Sequence, residues 1–466
     1  GAWRYDVESD HGGTVPVIML DTNREENDEW ARQLTRRVYA PGKDDSFKLA
    51  VYLVLGIGGV RMLDELGYDV STYHMNEGHA SFLTLELLRR NDRDAEAVRE
   101  QCVFTTHTPV AAAHDEYHYD LLDELMGDIV PIETVKEYSP QGMVHTTRLA
   151  LNLSRYVNGV AKRHQEVSRE MFPEHAENID AITNGAHVPT WVGDHMAEVF
   201  EKNIRDWEVY PTKLQHATLI EDEPLWEAHQ AQKRELIEYV HERTGVELDE
   251  DVLTLGFARR AVPYKRAPLL FENKDRLREV VARGGDVQIV YAGKAFPGDE
   301  QGKGIIREIF SHAEDLAGEI TITYLEDYDM EMGLQLTSGV DVWLNNPRRP
   351  REASGTSGMK AAFNGVPQFS TIDGWWVEGH IEGKTGWAIG PEPHSEREER
   401  MTDAQETLVD STDLYDTLEQ DVLPTYYDDR EEWIEIMRNA IAFNGSRYHA
   451  RRMMEEYLAT AYTPEN

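Results

Sequence analysis

Short apolar runs that alternate with helix-like segments between residues 253 and 371 constrain the fold more than any other feature of this sequence. The runs are rich in β-branched and aliphatic residues, and they are Leu253–Phe257, Val287–Ala292, Ile320–Tyr324, Val340–Leu344 and Gln368–Thr371. This alternation is typical of βαβ units around a parallel sheet. Open sheets of this kind bind ligands beyond the carboxyl ends of their strands. Charged or polar residues follow three of the runs: Arg259-Arg260, Lys294 and Asn345-Asn346.

The N-terminal part of the chain carries a second α/β pattern. The predicted strands are Val15–Leu20, Val70–His74, Cys102–Thr106 and Ile179–Thr183, and helical spacing is found at Ala80–Arg90 and Thr146–Glu170. A helical, charge-rich stretch follows Trp191 as far as about Val246, and the tail from Thr402 to Tyr462 predicts helices with a break at Pro424. We therefore expect two α/β domains that flank a cleft.

The most informative motif is the stretch from Glu352 to Lys360, which reads EASGTSGMK. Its small and hydroxyl-bearing residues precede a predicted helix, Met359–Phe363, so that backbone N–H groups could bind an anion at the helix start. A lysine there could contact the anion or, if desolvated, attack a carbonyl carbon. An ordinary glycine-rich loop that caps a helix would have the same sequence, and both interpretations stay open.

Four cations lie within eight positions of a strongly acidic chain. They are Arg259, Arg260, Lys265 and Arg266, in a sequence with 86 Asp and Glu against 47 Lys and Arg and a formal net charge of −39. Such a cluster after a sheet strand favours a phosphate group as its partner. The alternative is a solvated basic face. Two anion sites that face one cleft indicate phosphate chemistry.

The charge balance also restricts partners and surroundings. An acidic surface repels nucleic acid and anionic lipid, so neither is expected as a partner. The longest apolar run, Leu49–Val60, is short for a membrane span. The single cysteine, Cys102, excludes an internal disulfide framework, and cytoplasm is the default compartment. Acidic residues and few lysines favour a halophilic source, with an acidic mesophilic enzyme as the alternative.

Other signals are weaker. Gly56-Ile-Gly58-Gly59 resembles a dinucleotide loop, but Arg61 stands at its last required glycine position, so we interpret the run as packing. His114 and His118 have helical metal-ligand spacing without a third ligand nearby, and no metal site is predicted. Trp375-Trp376 could stack on sugar rings or pack in the core.

The motif EASGTSGMK resembles the cofactor-lysine motif of the α-glucan phosphorylases. Further blocks agree in order and spacing; they begin at His74 (HMNEGHASF), Phe104 (FTTHTPVAAAHDEY), Ile182 (ITNGAHVPTW), Arg259 (RRAVPYKR) and Ala292 (AGKAFPGDE). The resemblance implies a GT-B glycosyltransferase fold, with two Rossmann-like domains and the active site in the cleft between them. The implied divisions are residues 1–190, residues 191–440 and a C-terminal helix, 441–466, that packs back on the first domain.

The implied reaction is reversible phosphorolysis of α-1,4-glucans to glucose 1-phosphate. Its partners would be the glucan and inorganic phosphate, and a homo-oligomer is left open. The implied cofactor is pyridoxal 5′-phosphate, bound to Lys360 as a Schiff base, whose 5′-phosphate relays a proton to the substrate phosphate.

The resemblance assigns the site residues one by one. Arg259 and Thr356 would hold the cofactor phosphate, with Tyr328 beside the cofactor ring. Arg260 and Lys265 would clamp the substrate phosphate against the cofactor phosphate, near the backbone N–H of Gly355. The residues expected to contact the sugar are Glu352, at a glucose hydroxyl; Asn184 and His107, at the 6-hydroxyl; and Glu77. The backbone carbonyl of His107 would face the cationic sugar of the transition state.

The sequence departs from the family pattern at several positions. Val262 replaces a histidine, Asp329 replaces an arginine beside Tyr328, Ser357-Gly358 replaces Gly-Asn, and the family usually has Arg-Leu-Lys-Gln-Glu at residues 48–52. The family's N-terminal portion, with a glycine loop over the substrate phosphate, is expected to precede Gly1. Two rivals remain. One is a nucleotide-sugar glucan synthase of the same fold, which typically carries a Glu-x7-Glu pair, whereas here Glu352 is followed eight positions later by Lys360. The other is a non-catalytic or incomplete glucan-binding relative.

Overall fold

The computed structural model describes residues 1–9, 12–37, 44–395 and 401–463, which divide into two compact units. Unit 1 comprises Gly1–Val160, Ser168–Ala181 and Thr460–Asn466. Unit 2 comprises Ala161–Val167 and Ile182–Ala459. Each unit is built on its own parallel sheet, which confirms the prediction of an α/β protein with two sheets of this kind.

The central sheet of unit 1 has four parallel strands in the order β3-β4-β7-β8. Two antiparallel pairs, β1–β2 and β5–β6, lie outside it. The strands of this unit are β1 Ala2–Glu8, β2 Thr14–Leu20, β3 Tyr73–Asn76, β4 Cys102–Thr105, β5 Glu116–Tyr117, β6 Val144–His145, β7 Tyr156–Gly159 and β8 Ile179–Ala181. Every residue of β4 is buried, as expected for a parallel strand covered on both faces.

Helices follow these strands along the chain. They are α1 Asp45–Leu53, α2 Gly59–Glu65, α3 Leu83–Arg90, α4 Ala95–Gln101, α5 Tyr119–Met126, α6 Ile132–Tyr138 and α7 Thr146–Asn152, while α8 Lys162–Met171 crosses the division between the units. The Asp44 carboxylate accepts a hydrogen bond from the backbone N–H of Phe47 at the start of α1. The start of α1 is therefore fixed by a local cap.

A π-helical turn, Val54–Gly58, joins α1 to α2. The combined helix, Asp45–Glu65, has 21 residues and is the one helix in the described ranges that is long and apolar enough to cross a membrane. The sequence analysis expected the apolar run Leu49–Val60 to be too short for a membrane span, and the longer combined helix differs from that expectation. Leu49, Leu53 and Val60 are buried in the core of unit 1, so the helix has the character of a core helix and is weak evidence for a membrane span.

The sheet of unit 2 has six parallel strands in the order β11-β10-β9-β12-β13-β14. The strands are β9 Leu253–Ala258, β10 Val287–Ala292, β11 Thr321–Leu325, β12 Val342–Asn345, β13 Gln368–Thr371 and β14 Gly386–Ile389. Numbered within the unit, this is the order 3-2-1-4-5-6 of a doubly wound nucleotide-binding sheet. The chain reverses its direction of winding between β9 and β12, and a crevice opens at the carboxyl ends of these two strands.

The helices of unit 2 cover this sheet and extend to the C-terminal part of the chain. They are α9 Val188–Trp191, α10 Asp194–Asn203, α11 Asp222–Thr244, α12 Lys274–Gly284, α13 Glu300–Asp315, α14 Met330–Gly339, α15 Thr356–Phe363, α16 Trp376–Gly379, α17 Asp403–Thr417, α18 Leu423–Asp428, α19 Arg430–Asn439 and α20 Ala450–Glu456.

Two sequence predictions of secondary structure are wrong. The stretch Thr146–Glu170 is not one helix, because the buried strand β7 lies between α7 and α8; a buried strand of four residues has too little alternation to be recognised. Pro424 does not break the tail, because a π-helical turn, Leu418–Val422, joins α17 to α18, and Pro424 stands in the first turn of α18 directly after it. That helix ends at Asp428.

Candidate active site at the carboxyl edge of the unit 2 sheet

The two loops at the crevice of unit 2 are joined by a hydrogen bond. Arg259 follows β9 and Asn345 ends β12, and Nη1 of Arg259 donates to Oδ1 of Asn345 at 2.8 Å. These are the strands between which the sheet order reverses. Two of the polar residues that the sequence places after these strands are therefore in direct contact.

Glu352 lies between two cations of the predicted cluster. Its Oε2 accepts a hydrogen bond from Nη2 of Arg259 at 2.7 Å and one from Nζ of Lys265. The side chains of Arg259, Lys265 and Glu352 are 8%, 8% and 11% exposed, so these charges are almost withdrawn from water. The solvated basic face that the sequence left open is therefore excluded for Arg259 and Lys265.

The buried charges shift each other's titration. Burial alone would raise the pKa of Glu352, but Arg259 and Lys265 outweigh it and lower that pKa to about 2. Burial, and after it the charge of Arg259, lowers the pKa of Lys265 to about 7. Glu352 is therefore ionised at neutral pH, and Lys265 can exchange a proton there.

Asp373 holds the backbone of the Glu352 loop, and the sequence analysis missed it. Oδ2 of Asp373 accepts from the backbone N–H of Glu352 at 2.8 Å, and Oδ1 accepts from the N–H of Gly374 at 2.9 Å. The carboxyl group is buried, which raises its pKa to about 7.

The neighbouring Trp375 and Trp376 are buried in the core, so the core interpretation of this pair holds and sugar stacking is excluded.

The glycine-hydroxyl motif forms a tight turn into a helix, but the helix begins earlier than predicted. Gly355 is its N-cap with φ 87° and ψ 58°, a left-handed conformation that favours glycine, and α15 starts at Thr356 instead of Met359. Lys360 consequently lies in the last turn of α15 and not at its start. The backbone N–H groups of the first turn belong to Thr356 and its successors.

Lys360 faces an aromatic ring that the sequence analysis did not assign to the site. Its Nζ lies 3.4 Å from the ring centroid of Trp191, the last residue of α9. Burial lowers the pKa of Lys360 to about 8. Asn364 connects the two helices, because its Nδ2 donates to the backbone oxygens of Trp191 at 2.7 Å and of Lys360 at 3.1 Å. The amine is thus partly desolvated and held near a flat apolar surface.

A pocket of about 500 Å³ lies beside Arg259 within unit 2. Its wall includes Arg259, Arg260, Lys294 and Tyr328. Burial, and after it the charge of Asp329, raises the pKa of the Tyr328 phenol. Asp329, which departs from the family pattern, caps α14 by accepting from the N–H of Met332 at 2.9 Å.

Unit 1 carries two of the predicted sugar-contacting residues, and they are bonded to each other. Oε2 of Glu77 accepts from the backbone N–H of His107 at 2.7 Å and from Oγ1 of Thr108 at 2.9 Å, and Oε1 accepts from the N–H of Gly78 at 2.8 Å. Glu77 thereby fixes the loop after β4. Nε2 of His107 is buried and has no hydrogen-bond partner among the described residues, and burial lowers the pKa of this ring.

Asn184 lies in a loop of unit 2 that the C-terminal helix holds in place. Nη1 of Arg452 donates to the backbone oxygen of Thr183 at 2.7 Å, and Nη2 donates to that of Asn184 at 2.9 Å. The N–H of Ala450 donates to the oxygen of Ala186 at 2.8 Å. Sequence reasoning missed Arg452, because nothing local in the tail relates it to a loop 268 residues away.

The structure therefore groups the predicted residues into five sets. Arg259, Lys265 and Glu352 form one buried cluster. Arg259, Arg260 and Tyr328 share a pocket wall. Gly355, Thr356 and Lys360 belong to the turn and helix of the motif, and Glu77 and His107 are bonded within unit 1. Asn184 belongs to a separate loop of unit 2.

Comparison with known proteins points to one family. Residues 129–390 match the model of the family described as carbohydrate phosphorylase. A glycogen phosphorylase of Aquifex aeolicus is 37% identical over 513 aligned residues, which cover 99% of this chain and 72% of the relative. A maltodextrin phosphorylase of Thermococcus litoralis is 36% identical over 487 residues, covering 97% of this chain and 58% of the relative. The chain thus spans between about three fifths and three quarters of the length of these two relatives.

Proposed function

The chain belongs to the carbohydrate phosphorylase family of glycosyltransferases, with the GT-B fold that the resemblance implied, and we propose that it catalyses reversible phosphorolysis of α-1,4-glucans. The proposed product is glucose 1-phosphate, released from the non-reducing end with inorganic phosphate as the second substrate. The observation that carries the proposal is the buried cluster of Arg259, Lys265 and Glu352 at the reversal point of the sheet. It combines cations for phosphate with a carboxylate for a sugar hydroxyl.

The residues around Lys360 fit pyridoxal phosphate. A partly desolvated amine with a pKa of about 8 keeps a useful fraction of free base near neutral pH, which capture of an aldehyde requires. The ring of Trp191 offers a flat apolar surface beside that amine. The first turn of α15 after Gly355 offers backbone N–H groups to a phosphate. We assign Lys360, Arg259, Thr356, Tyr328 and Gly355 to the cofactor, whose phosphate group would supply acid–base chemistry.

The chain's own residues would bind and orient the reacting anion. Arg260 lies exposed at the pocket and can present its guanidinium to a phosphate group. Lys265 is buried and has a pKa near 7, so its charge is sensitive to an anion that arrives beside it. Cations at this point offset the mutual repulsion of two phosphate groups and of a phosphate with Glu352.

The remaining assignments concern the sugar. Glu352 would accept a hydrogen bond from a glucose hydroxyl through its second carboxylate oxygen, because Oε2 is occupied by Arg259 and Lys265. We assign His107 to the 6-hydroxyl, and Glu77 is the residue that positions its backbone. We also keep Asn184, on its loop of unit 2, as a sugar-contacting residue. Cytoplasm stays the predicted compartment, on the ground that the sequence has a single cysteine.

Chemical trapping of the cofactor tests the proposal directly. Borohydride reduction of the full-length holoenzyme should leave a pyridoxyl group on Lys360, and Lys360→Ala should lose both this group and glucose 1-phosphate release from maltodextrin. Lys384→Ala, which removes an exposed lysine, is the matched control and should keep both.

Two outcomes would contradict the assignment. A pyridoxyl group on another lysine would show that Lys360 does not carry the cofactor. Unchanged phosphorolysis in Lys360→Ala would end the phosphorylase proposal, and activity that depends on a nucleotide-sugar donor would favour the glucan synthase. A protein that binds glucan without any turnover would favour the non-catalytic relative.

A further inference from the structure

Asp410, on α17, bridges two buried arginines from the loops that carry Lys265 and Glu352. Its Oδ2 accepts a hydrogen bond from Nη2 of Arg266 at 2.6 Å, and its Oδ1 accepts one from Nη2 of Arg349 at 2.7 Å. The side chains of Arg266, Arg349 and Asp410 are 6%, 2% and 0% exposed. Arg266 directly follows Lys265 in the chain, and the other arginine precedes Glu352 by three residues. One buried carboxylate therefore holds both loops of the buried cluster.

Arg266 also bonds directly to the loop after β12. Its Nε donates to the backbone oxygen of Asn346 at 2.9 Å, and its Nη2 donates to that of Pro347 at 3.1 Å. Nδ2 of Asn346 donates in return to the backbone oxygen of Arg266 at 2.7 Å. Arg266 adopts φ 50° and ψ 45°, a left-handed conformation that is unfavourable for a residue with a Cβ atom. Such a conformation persists only where the surroundings hold it, and the bonds to this loop and to Asp410 do so.

Arg349 connects the loop after β12 to α17 and to β14. Its Nη1 donates to the backbone oxygen of Ile389, the last residue of β14, at 3.1 Å. Its backbone N–H donates to Oε1 of Glu406 on α17 at 3.0 Å. Gly390 leaves room for the bridge, since a Cβ atom there would lie 2.1 Å from Oδ1 of Asp410. The guanidinium is thus fixed from two directions and cannot shift without breaking a buried hydrogen bond.

We propose that Asp410 is a positioning residue, which fixes the spacing between Lys265 and Glu352 by holding the two arginines beside them. The inference rests on the proposed function and adds a residue that the family resemblance did not assign. A sugar hydroxyl or an anion that binds at Glu352 or Lys265 competes with the direct contact between these two side chains. The bridge at Asp410 is withdrawn from solvent, so it stays closed during this competition and the loops keep their spacing.

A second buried aspartate, at the opposite edge of the same sheet, provides a matched control. Asp341 directly precedes β12, and its carboxylate accepts from Nε2 of His229 at 2.8 Å and from Nζ of Lys233 at 2.6 Å. Its side chain is also 0% exposed. It further accepts from the N–H of Thr254, near the start of β9, at 2.7 Å, and therefore lies at the amino edge of the sheet. Its substitution removes an equivalent buried charge without touching the two loops.

The test compares Asp410→Asn with Asp341→Asn in the full-length holoenzyme, at a temperature well below the Tm of both variants. Each substitution leaves buried basic groups without their counter-charge, so both should lower the Tm. Only Asp410→Asn should also lower kcat for maltodextrin phosphorolysis, by roughly 10- to 100-fold, because a displacement of about 1 Å between positioned groups has an effect of this size. A purely structural role would lower the Tm alone.

Chemical labelling of Lys265 gives a second readout that needs no turnover. This amine is almost buried and is bound to Glu352, so acetic anhydride should acetylate it slowly in the wild type. Loosening of the loops in Asp410→Asn should raise the rate several-fold, whereas Asp341→Asn should leave it unchanged. Mass spectrometry of the digested protein measures the label at this residue.

Arg349→Lys is the milder variant if Asp410→Asn does not fold. It keeps the charge but lacks the fork that bonds β14 and α17 together, so kcat and the labelling rate should change in the same directions by smaller factors. In an active enzyme, an unchanged kcat in the folded variants, or an equal loss in Asp341→Asn, would overturn the inference. If the wild type releases no glucose 1-phosphate, the proposed function fails; labelling that then rises in Asp410→Asn alone upholds the bridge, and an unchanged rate overturns it too.

Discussion

Gly185 provides a sharp test of how the Asn184 loop is held. An added Cβ atom at this residue would lie 2.3 Å from the carbonyl carbon and oxygen of His449 and 2.8 Å from the nitrogen of Ala450. All three atoms are backbone, so no side chain can rotate away. An ordinary contact starts at 3.4 Å, and the loop must therefore move by about 1 Å in Gly185→Ala.

The expected magnitude follows from this displacement. Overpacking of a rigid contact costs about 1–3 kcal/mol, and each kcal/mol lowers the Tm of a large domain by about 2–4 °C. The transition that includes unit 2 should therefore shift down by roughly 2–12 °C. If Asn184 contacts the sugar, a displacement of about 1 Å should lower kcat/KM for maltodextrin by roughly 10- to 100-fold. The affinity for inorganic phosphate should not change, because the pocket residues are elsewhere in unit 2.

The test compares Gly185→Ala with the control Gly304→Ala by calorimetry and steady-state kinetics. Gly304 lies in α13 with no heavy atom within 4 Å of the added methyl group, so this control should gain about 0.5–1 kcal/mol from helix propensity. A Gly185→Ala protein that melts within 1 °C or so of the wild type would refute the steric argument. A lowered Tm with unchanged glucan kinetics would refute the role given to Asn184.

Three further predictions concern charge. Glu352→Gln should cost about 3–5 kcal/mol, because it leaves Arg259 and Lys265 buried without their counter-charge; thermal melts at pH 7 measure this, and an unchanged Tm would contradict it. In the wild type, ionised Glu352 adds to the free energy of unfolding above pH 4.5, its ordinary pKa, and this contribution is lost as the pH falls through about 2. Acid melts of the wild type should therefore show a decline in Tm that Glu352→Gln lacks. The rate at which the apoenzyme captures pyridoxal phosphate should rise with pH and level off above about 8, the pKa of Lys360, whereas a flat absorbance profile would argue against this amine. Thermal stability should rise with molar KCl, since the net charge of −39 is then screened, and a flat or falling curve would remove the halophilic interpretation.

Local patterns were sufficient for the site motifs and for five of the six strands of the unit 2 sheet, whereas β14, Gly386–Ile389, was missed. The predicted run Leu253–Phe257 differs from β9 by one residue, because a strand covered on both faces is apolar throughout and can be recognised by itself. The turn at Gly355 was likewise indicated by its small residues. Arg259 and Lys265 were recognised as an anion site because cations are scarce in this chain.

Partners that are distant in sequence could not be predicted in the same way. Glu352 meets Arg259 across 93 residues and Lys265 across 87, and Trp191 lies under Lys360 on a different helix. Asp373 is only 21 residues from Glu352, yet its role depends on one carboxylate reaching one backbone N–H. No periodicity of the sequence encodes such a contact.

The sequence by itself determined the class of fold, the family and the kind of chemistry, because burial on both faces of a strand and short motifs are local properties. Only the tertiary structure decided which cation faces which anion. The order in which the six strands of unit 2 assemble brings the loops after β9, β10 and β12 to one edge. That order places Lys265 on Glu352 and leaves Lys294 beside Arg260, since the neighbours of a strand are chosen by packing of the whole sheet and not by its own residues.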